Sequence, residues 1–404
     1  MNNNCRITLN TNKNIVIEFT NERIIPASGL AVVGAVLGKS DFIKKLNRMD
    51  VTANRSQHQI KNGDIILPYL GLLCMGKPYF ETVHEMDDDL AFYKAALGIT
   101  RAIPSEETLR QRMDVSVIPF ARQSSNRMLR CFLPTKYSPR TAEWSCSSRY
   151  RRNPDDNSKS NKEGVSRTYK GFDGYTPMMA YIGTEGYAIN FELREGKQHC
   201  QNGTVEFLQD TIKLCRKLTD KPLLIRLDSG NDSIDNVAVL MDTGCFFIIK
   251  RNLRRESKDG WLEMDKQYCQ NVNSPRDGKT VYIGSDWKNV ISKQFNKEFV
   301  LRAGYEITER IIDKYGQFNL VPDVEVETWW TNLGDSDEEI IRLYHAHGEC
   351  EQFHSEVKTD MDLERLPSGK FATNALILEL GMIAQCQLVK FKGLDSIRGL
   401  THIF

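Results

Sequence analysis

The chain has ten cysteines among 404 residues, yet none forms a Cys-x-x-Cys pair. That excludes a zinc ribbon or finger of the usual kind, and scattered single cysteines argue against a disulfide framework. His345, His347, Cys350 and His354 cluster, but at a spacing that fits no standard zinc pattern. No uninterrupted run of about eighteen apolar residues occurs. LAVVGAVLG at 30–38 is the longest candidate and is too short to span a bilayer. The N-terminal MNNNCRITLN lacks the basic and apolar regions of a secretory signal. The expected compartment is therefore the cytoplasm, with no membrane partner. Internal repeats and low-complexity tracts are also missing. Net charge is only +1, so total charge says little about partners.

What is present describes an ordinary globular protein. Apolar residues make up 40% and charged residues 26%, and the length allows two or three domains. The charge is unevenly spread. Residues 110–170 hold fourteen Lys/Arg against five Asp/Glu, and a second cluster, KRNLRRESK, spans 250–258. Such stretches suit a polyanion; a solvated surface is the plainer alternative.

Residues 1–27 read as a short β segment. DFIKKLNRM, GDIILPYLGLLCMG and YFETVHEMDDDLAFYKAALG carry apolar residues at helical spacing. In AIPSEETLRQRMD (102–114), Ser105 suits an N-cap and Glu106 and Glu107 suit a first turn. That helix presents Thr108, Arg110, Gln111 and Arg112, either as a helix-turn-helix reader or as an ordinary bundle helix. From about 165 the pattern becomes strand, strand, helix, strand, helix, strand, which implies an α/β sheet with helices on it. A β-like run over 255–333 interrupts that order. Helices return at 336–359 and at 371–391.

Two features carry chemistry. Asp228, in RLDSGNDS, ends the apolar strand PLLIRLD. Sites in α/β sheets lie at the carboxyl ends of strands, so this carboxylate suits a metal ligand; a turn or capping aspartate is the alternative. In YHAHGECEQFHSEVK, Tyr344, His347, Glu351 and Lys358 follow steps of three, four and seven. On one α-helix those steps share a face, placing an acid among a phenol, an imidazole and an ammonium. A solvent-facing helix with charge pairs would show the same steps.

The spacing Tyr-x2-Arg-x3-Glu-x6-Lys resembles the signature helix of bacterial insertion-sequence DDE transposases of the cut-and-paste type. Tyr344, Glu351 and Lys358 match it, and His347 stands where that family usually has arginine. LLIRLDSGND resembles the strand bearing the second acid, and EGVSRTYKGFDGYTPMMAYIG the segment after the first catalytic strand. The β-like run matches an insertion placed between the second and third acids. The resemblance implies an α/β, RNase H-like mixed sheet with flanking helices, a β-rich insertion and a helical N-terminal region. Its parts would be a DNA-binding region at 1–135, a catalytic domain split into 136–254 and 334–404, and the insertion at 255–333.

It further implies cutting and joining of DNA at element ends. Terminal inverted repeats and target DNA would be the partners, held by a homodimer at the nucleoid. Three carboxylates would hold two Mg²⁺ ions, or Mn²⁺, with Asp228 and Glu351 as two of them. Lys358 would contact a backbone phosphate. His347 would do so in part, lacking the guanidinium fork. Trp329 or Trp330 would stack on a flipped base, or else pack the end of an insertion strand. A related nuclease without strand transfer and a DNA-binding relic without catalysis are the competing readings.

The first acid is the departure. The resemblance implies a strand like Val-Ile-Asp-Val-Thr-Pro-Met just before DNSKSNKEG. The chain instead has Arg149-Tyr150-Arg151-Arg152-Asn153-Pro154-Asp155, without strand character. Written as CGT TAT CGA CGT AAC CCC GAT and read one base later, that run becomes GTT ATC GAC GTA ACC CCG ATG, which encodes the implied strand. TAEWSCSS (141–148) shifts likewise into Leu-Pro-Asn-Gly-Leu-Val-Ala-Pro. The expectation is that about 141–155 is translated out of frame between compensating indels, with the lost Asp codon straddling Arg151 and Arg152. The copy would then bind DNA but cleave it poorly, unless Asp155 or Asp156 substitutes.

Overall fold

The computed structural model describes residues 6–8, 16–18, 25–49, 59–122, 142–147, 160–168, 171–268, 271–313, 315–346 and 348–398. Strands β1 (Arg6–Thr8) and β2 (Val16–Glu18) pair as a small antiparallel ribbon. Helices α1 (Leu30–Gly38), α2 (Phe42–Arg48), α3 (Asn62–Cys74), α4 (Leu90–Leu97) and α5 (Glu106–Arg122) follow. The segment expected as one helix over YFETVHEMDDDLAFYKAALG splits into a 3₁₀ stretch, Phe80–Met86, and α4. Asp64, 2% exposed near the start of α3, accepts from the Thr100 amide and hydroxyl and the Arg101 amide. That single carboxylate ties α3 to the α4–α5 connection.

Among the described residues, the rest is a mixed α/β structure built on a nine-stranded sheet. Its first strand in the chain is β3 (Ala142–Ser147), which the sequence pattern does not announce. Then come the short pair β4 (Ser166–Arg167) and β5 (Asp173–Gly174), β6 (Met178–Ile182) and β7 (Tyr187–Glu192). Helix α6 (Thr204–Arg216), β8 (Leu223–Leu227), α7 (Ile234–Asp242) and β9 (Phe246–Lys250) complete the alternating part. The run 255–333 holds an unexpected helix, α8 (Lys258–Tyr268), before four strands: β10 (Asn271–Arg276), β11 (Lys279–Ser292), β12 (Lys297–Ile312) and β13 (Phe318–Thr331). Helices α9 (Asp337–His345), α10 (Gly348–Ser355) and α11 (Phe371–Arg398) close the chain.

The sheet order is β10-β11-β12-β13-β9-β8-β3-β6-β7. Strands β9, β8 and β3 are mutually parallel, while β6 and β7 add antiparallel on one side and β13 on the other. The β-rich run is thus hydrogen-bonded into the same sheet through Trp329, Trp330 and Thr331 opposite Lys250, Ile249 and Ile248. Continuous apolar runs such as LLIRL and FFIIK suit strands covered on both faces.

Alternation along β8 and β9 sorts their side chains onto two faces. Leu223, Ile225, Leu227, Phe247 and Ile249 join the main core, where α6 and α7 also pack. Leu224 and Ile248 join a separate cluster with Trp329, Ile340, Ile341 and Tyr344. Helix α9 therefore covers the face to which the even-numbered residues of β8 belong. Helix α11 packs on α1, α3, α5 and β7. Its stretch Phe371–Val389 is long and apolar enough to cross a membrane, but it is mostly buried inside this protein.

Candidate catalytic site at the end of strand β8

Asp228 follows β8 directly, where the chain leaves the sheet at a carboxyl end. Its backbone stays extended, at φ −76° and ψ 174°, so it continues the alternation of Leu224 and Arg226. Its Oδ1 accepts from the Gly230 amide at 3.1 Å and from Asn231 Nδ2 at 2.8 Å. The carboxylate thereby caps the 3₁₀ turn Ser229–Asn231 and is only 7% exposed. The turn is anchored further on. Asn252 Nδ2 donates to the Ser229 carbonyl, and Asp232 accepts from Trp330 Nε1 at 3.1 Å and the Asn252 amide at 2.9 Å. Three strands thus fix one loop.

Arg226, two residues earlier and 4% exposed, donates from Nη1 to the Leu343 carbonyl at 2.9 Å. That bond seats the end of α9 on the Asp228 face of the sheet. Tyr344 is the next residue. It is buried against Trp329, with ring centroids 5.6 Å apart, so it anchors α9 rather than lining open space. The helix expected to run unbroken over 336–359 is interrupted. Helix α9 ends at His345, α10 begins at Gly348, and Glu356–Asp360 winds as a π turn. His347 lies outside the described residues. Glu351 lies on α10, which packs against β3, the strand next to β8; its side chain is outside the described residues.

Lys358 sits in the π turn, 6% exposed, with Nζ 2.7 Å from Glu364 Oε1. π turns inside helices are frequent at functional sites. His354, one turn before it, meets the Tyr181 ring edge-on at 5.2 Å. Burial, with the Lys358 charge adding to it, pushes the His354 pKa down to about 4, so its imidazole is neutral at pH 7.

Strand β3 occupies the centre, between β8 and β6. Cys146 pairs opposite Leu227, which puts Ser147, its last residue, level with Asp228. The only acid on β3, Glu143, lies opposite Leu224, well below that level. Arg151, Arg152, Asp155 and Asp156 lie outside the described residues. Among the described residues no group of three or more histidine, cysteine or acidic side chains is placed to hold a metal ion. Asp228 alone falls short of the oxygen donors that two Mg²⁺ ions need.

The surroundings of Asp228 are basic and polar. A cavity of about 670 Å³ opens beside Ser229 and Gly230, lined also by Arg167, Arg194, Lys197 and Cys200. Arg194 is buried and paired with Glu192. Burial pushes the Cys200 thiol up and the charge of Asp228 adds to it, so Cys200 is no ready nucleophile.

The basic cluster KRNLRRESK is partly spent internally. Lys250 pairs with Glu327, and Arg251 pairs with Glu256 while lying 4.1 Å over the Trp330 ring. Trp329 is fully buried and Trp330 is capped by Arg251, so both rings pack the end of β13. In α5, Arg110 and Gln111 bond Glu107, and Arg112 turns inward to the Ile60 carbonyl and Asn62. Sequence reasoning missed the anchors Arg226, Asn231 and Asp232; an arginine inside the otherwise apolar run PLLIRLD was the signal available for Arg226.

No curated protein matches the chain. Among solved structures it is similar to piggyBac transposase in the cryo-EM structure of a synaptic complex with hairpin DNA. The identity is 11% and the TM-score 0.43, over 92% of this chain and 75% of that one. The model of the transposase DDE domain, group 1, matches residues 155–396, which is more than half of the sequence and takes in Asp228, Glu351 and Lys358. That match over more than half of the sequence makes this chain a member of the DDE transposase family.

Proposed function

We propose that the chain is the transposase of a bacterial insertion sequence, cutting DNA at the terminal inverted repeats and joining it to target DNA as a homodimer at the nucleoid. The observation that supports this reading is the Arg226–Leu343 bond, which seats the end of α9, the helix preceding the one that bears Glu351, on the Asp228 face of the sheet. The sheet order β7-β6-β3-β8-β9, with β3, β8 and β9 parallel and β6 and β7 antiparallel, supports an RNase H-like core. Asp228 and Glu351 are the proposed carboxylates for Mg²⁺ or Mn²⁺, hard cations that prefer oxygen. When bound, such ions supply charge stabilisation at the phosphodiester. Lys358 reaches a backbone phosphate by exchanging Glu364 for it. Tyr344 holds the end of α9 in place, and His347 takes the position of the family's arginine.

In this copy cleavage is proposed to be impaired. Serine stands on β3 level with Asp228, and the family match begins at residue 155, the end of the segment with the out-of-frame reading. Those two observations favour a second reading, a DNA-binding relic that occupies element ends without cutting them. Sequencing the codons at 149–155 tests the frame: absence of Val-Ile-Asp-Val-Thr one base later refutes it.

The functional test is cleavage and strand transfer on end-labelled terminal-repeat duplex with Mg²⁺ or Mn²⁺. The expected result is end-specific binding with cleavage at least about 10³-fold below a copy in which Val-Ile-Asp-Val-Thr-Pro-Met is restored, the scale of losing one charge-stabilising group in a reactive centre. In the restored copy, Asp228→Asn and Glu351→Gln each abolish cutting while binding persists. Cutting that survives Glu351→Gln refutes the site; failure to bind the repeats refutes the transposase reading altogether.

A further inference from the structure

Two cavities flank Arg254. The first, of about 670 Å³, lies beside the Asp228 turn and is lined also by Arg167 and Lys197. The second, of about 450 Å³, is lined by Lys293 and Trp330. Arg254, Asn252, Gln201 and Asp232 line both, so the spaces adjoin. Resting on the transposase reading, the geometry points to a path for one unpaired DNA strand from the first cavity to the second, its backbone phosphate held by Arg254.

Shape favours one strand over two. Both spaces are on the scale of small-ligand sites, roughly 300–1,000 Å³, and a paired duplex does not enter such concavities. Charge favours a phosphate. Arg167, Lys197, Arg254 and Lys293 are exposed, and Arg167 and Lys293 have no ion-pair partner among the described residues. The acid common to both cavities, Asp232, already accepts from Trp330 and Asn252. In the second cavity Asp235 accepts from Ser292 and Gln294, and Glu256 from Arg251 and Trp261. The carboxylates are therefore engaged by the protein itself.

Arg254 is held for this task by its backbone. It sits at φ 54°, in the left-handed region that few side chains adopt, and Nη2 donates to the Asp232 carbonyl at 3.0 Å. Strained residues of that kind persist where the surroundings over-determine them, often at ligand clamps. The side chain nonetheless remains 68% exposed, leaving guanidinium donors for a phosphate. Because Arg251 covers the Trp330 ring, the path offers no free aromatic face there. It grips the backbone and does not read bases.

Fluorescence anisotropy on the full chain, with a labelled single-stranded oligonucleotide and the duplex of the same sequence over a salt series, tests this. Each phosphate contact on a single strand adds about 0.7 to the slope of log K against log salt. Arg254→Ala is expected to lower the single-strand slope by about that amount, and Arg254→Lys to restore it, with the duplex slope unmoved. Arg167→Ala and Lys293→Ala, one in each cavity, are expected to act as Arg254→Ala does. An unchanged slope in Arg254→Ala, or an equal fall on duplex, overturns the path. Binding of both DNAs with a single-strand slope that does not depend on Arg254 sinks this inference alone, whereas no binding to either DNA sinks the transposase reading with it.

Discussion

Asp232→Ala tests whether the loop bearing Asp228 is held by the contacts described. Asp232 is 7% exposed and accepts from the Trp330 indole, the Asn252 amide and, at 3.4 Å, Arg254. Trp330 is itself only 5% exposed, so its N–H loses its partner without gaining water. An orphaned buried donor costs about 1–3 kcal/mol, and a hydrogen bond to a charged acceptor contributes about 1.5–3 kcal/mol. The Arg254 contact adds little, about 0–1 kcal/mol, because that side chain is mostly exposed. The expected loss is about 3–5 kcal/mol, a large part of the roughly 5–15 kcal/mol that keeps a protein folded.

Urea unfolding followed by tryptophan fluorescence reads this directly. With an m-value of about 3 kcal/mol/M, the midpoint falls by roughly 1–1.7 M. Asp232→Asn keeps one acceptor oxygen and is expected to lose about half as much. The cycle Asp232→Ala with Trp330→Phe isolates the indole contact, and a coupling of about 0.5–3 kcal/mol is expected. If the two substitutions add, or the midpoint of Asp232→Ala barely moves, the loop is held by something else.

Two further predictions concern packing and pH. A Cβ at Gly34 would lie 1.6 Å from the Ala96 carbonyl oxygen, where α1 crosses α4, whereas one at Gly29 meets nothing within 4 Å. Gly34→Ala is therefore expected to destabilise by about 3 kcal/mol or more, and Gly29→Ala to be neutral or slightly stabilising, in the same urea assay. His354 has its pKa lowered to about 4 from the ordinary 6.5, so between those values the unfolded chain binds a proton that the folded chain refuses. Stability is full above pH 6.5 and falls as pH drops towards 4, by up to about 3 kcal/mol. His354→Gln is expected to flatten that part of the pH profile, and an unchanged profile would refute the assignment.

The site was legible where local pattern and tertiary structure agree. PLLIRLD reads as a buried strand ending on an acid in either view, and the structure adds that it is parallel to its neighbours and that the acid caps the following turn. The helix over 336–359 was legible in place but not in form. Its spacing assumes one unbroken 3.6-residue period, and periodicity is blind to a helix end at His345 and to a π turn at Glu356–Asp360. Helix α8 was hidden because a short helix inside a β-rich run has too few residues to set its own period. Arg226 and Asp232 were hidden because their partners, Leu343 and Trp330, lie about a hundred residues away.

Strand β3 is the most instructive miss. TAEWSCSS has little apolar alternation, yet the structure places Ala142–Ser147 at the centre of the sheet, parallel to β8 and antiparallel to β6. The ladder asks only for N–H and C=O groups, which almost any residue supplies. A strand can therefore keep its place when its side chains are replaced wholesale. In the proposed site, holding a cation asks for a carboxylate on that strand, and at the level of Asp228 the chain has serine. A shifted reading frame would part those two requirements in this way, sparing the pairing that neighbours enforce and removing the one side chain that only the codon can supply.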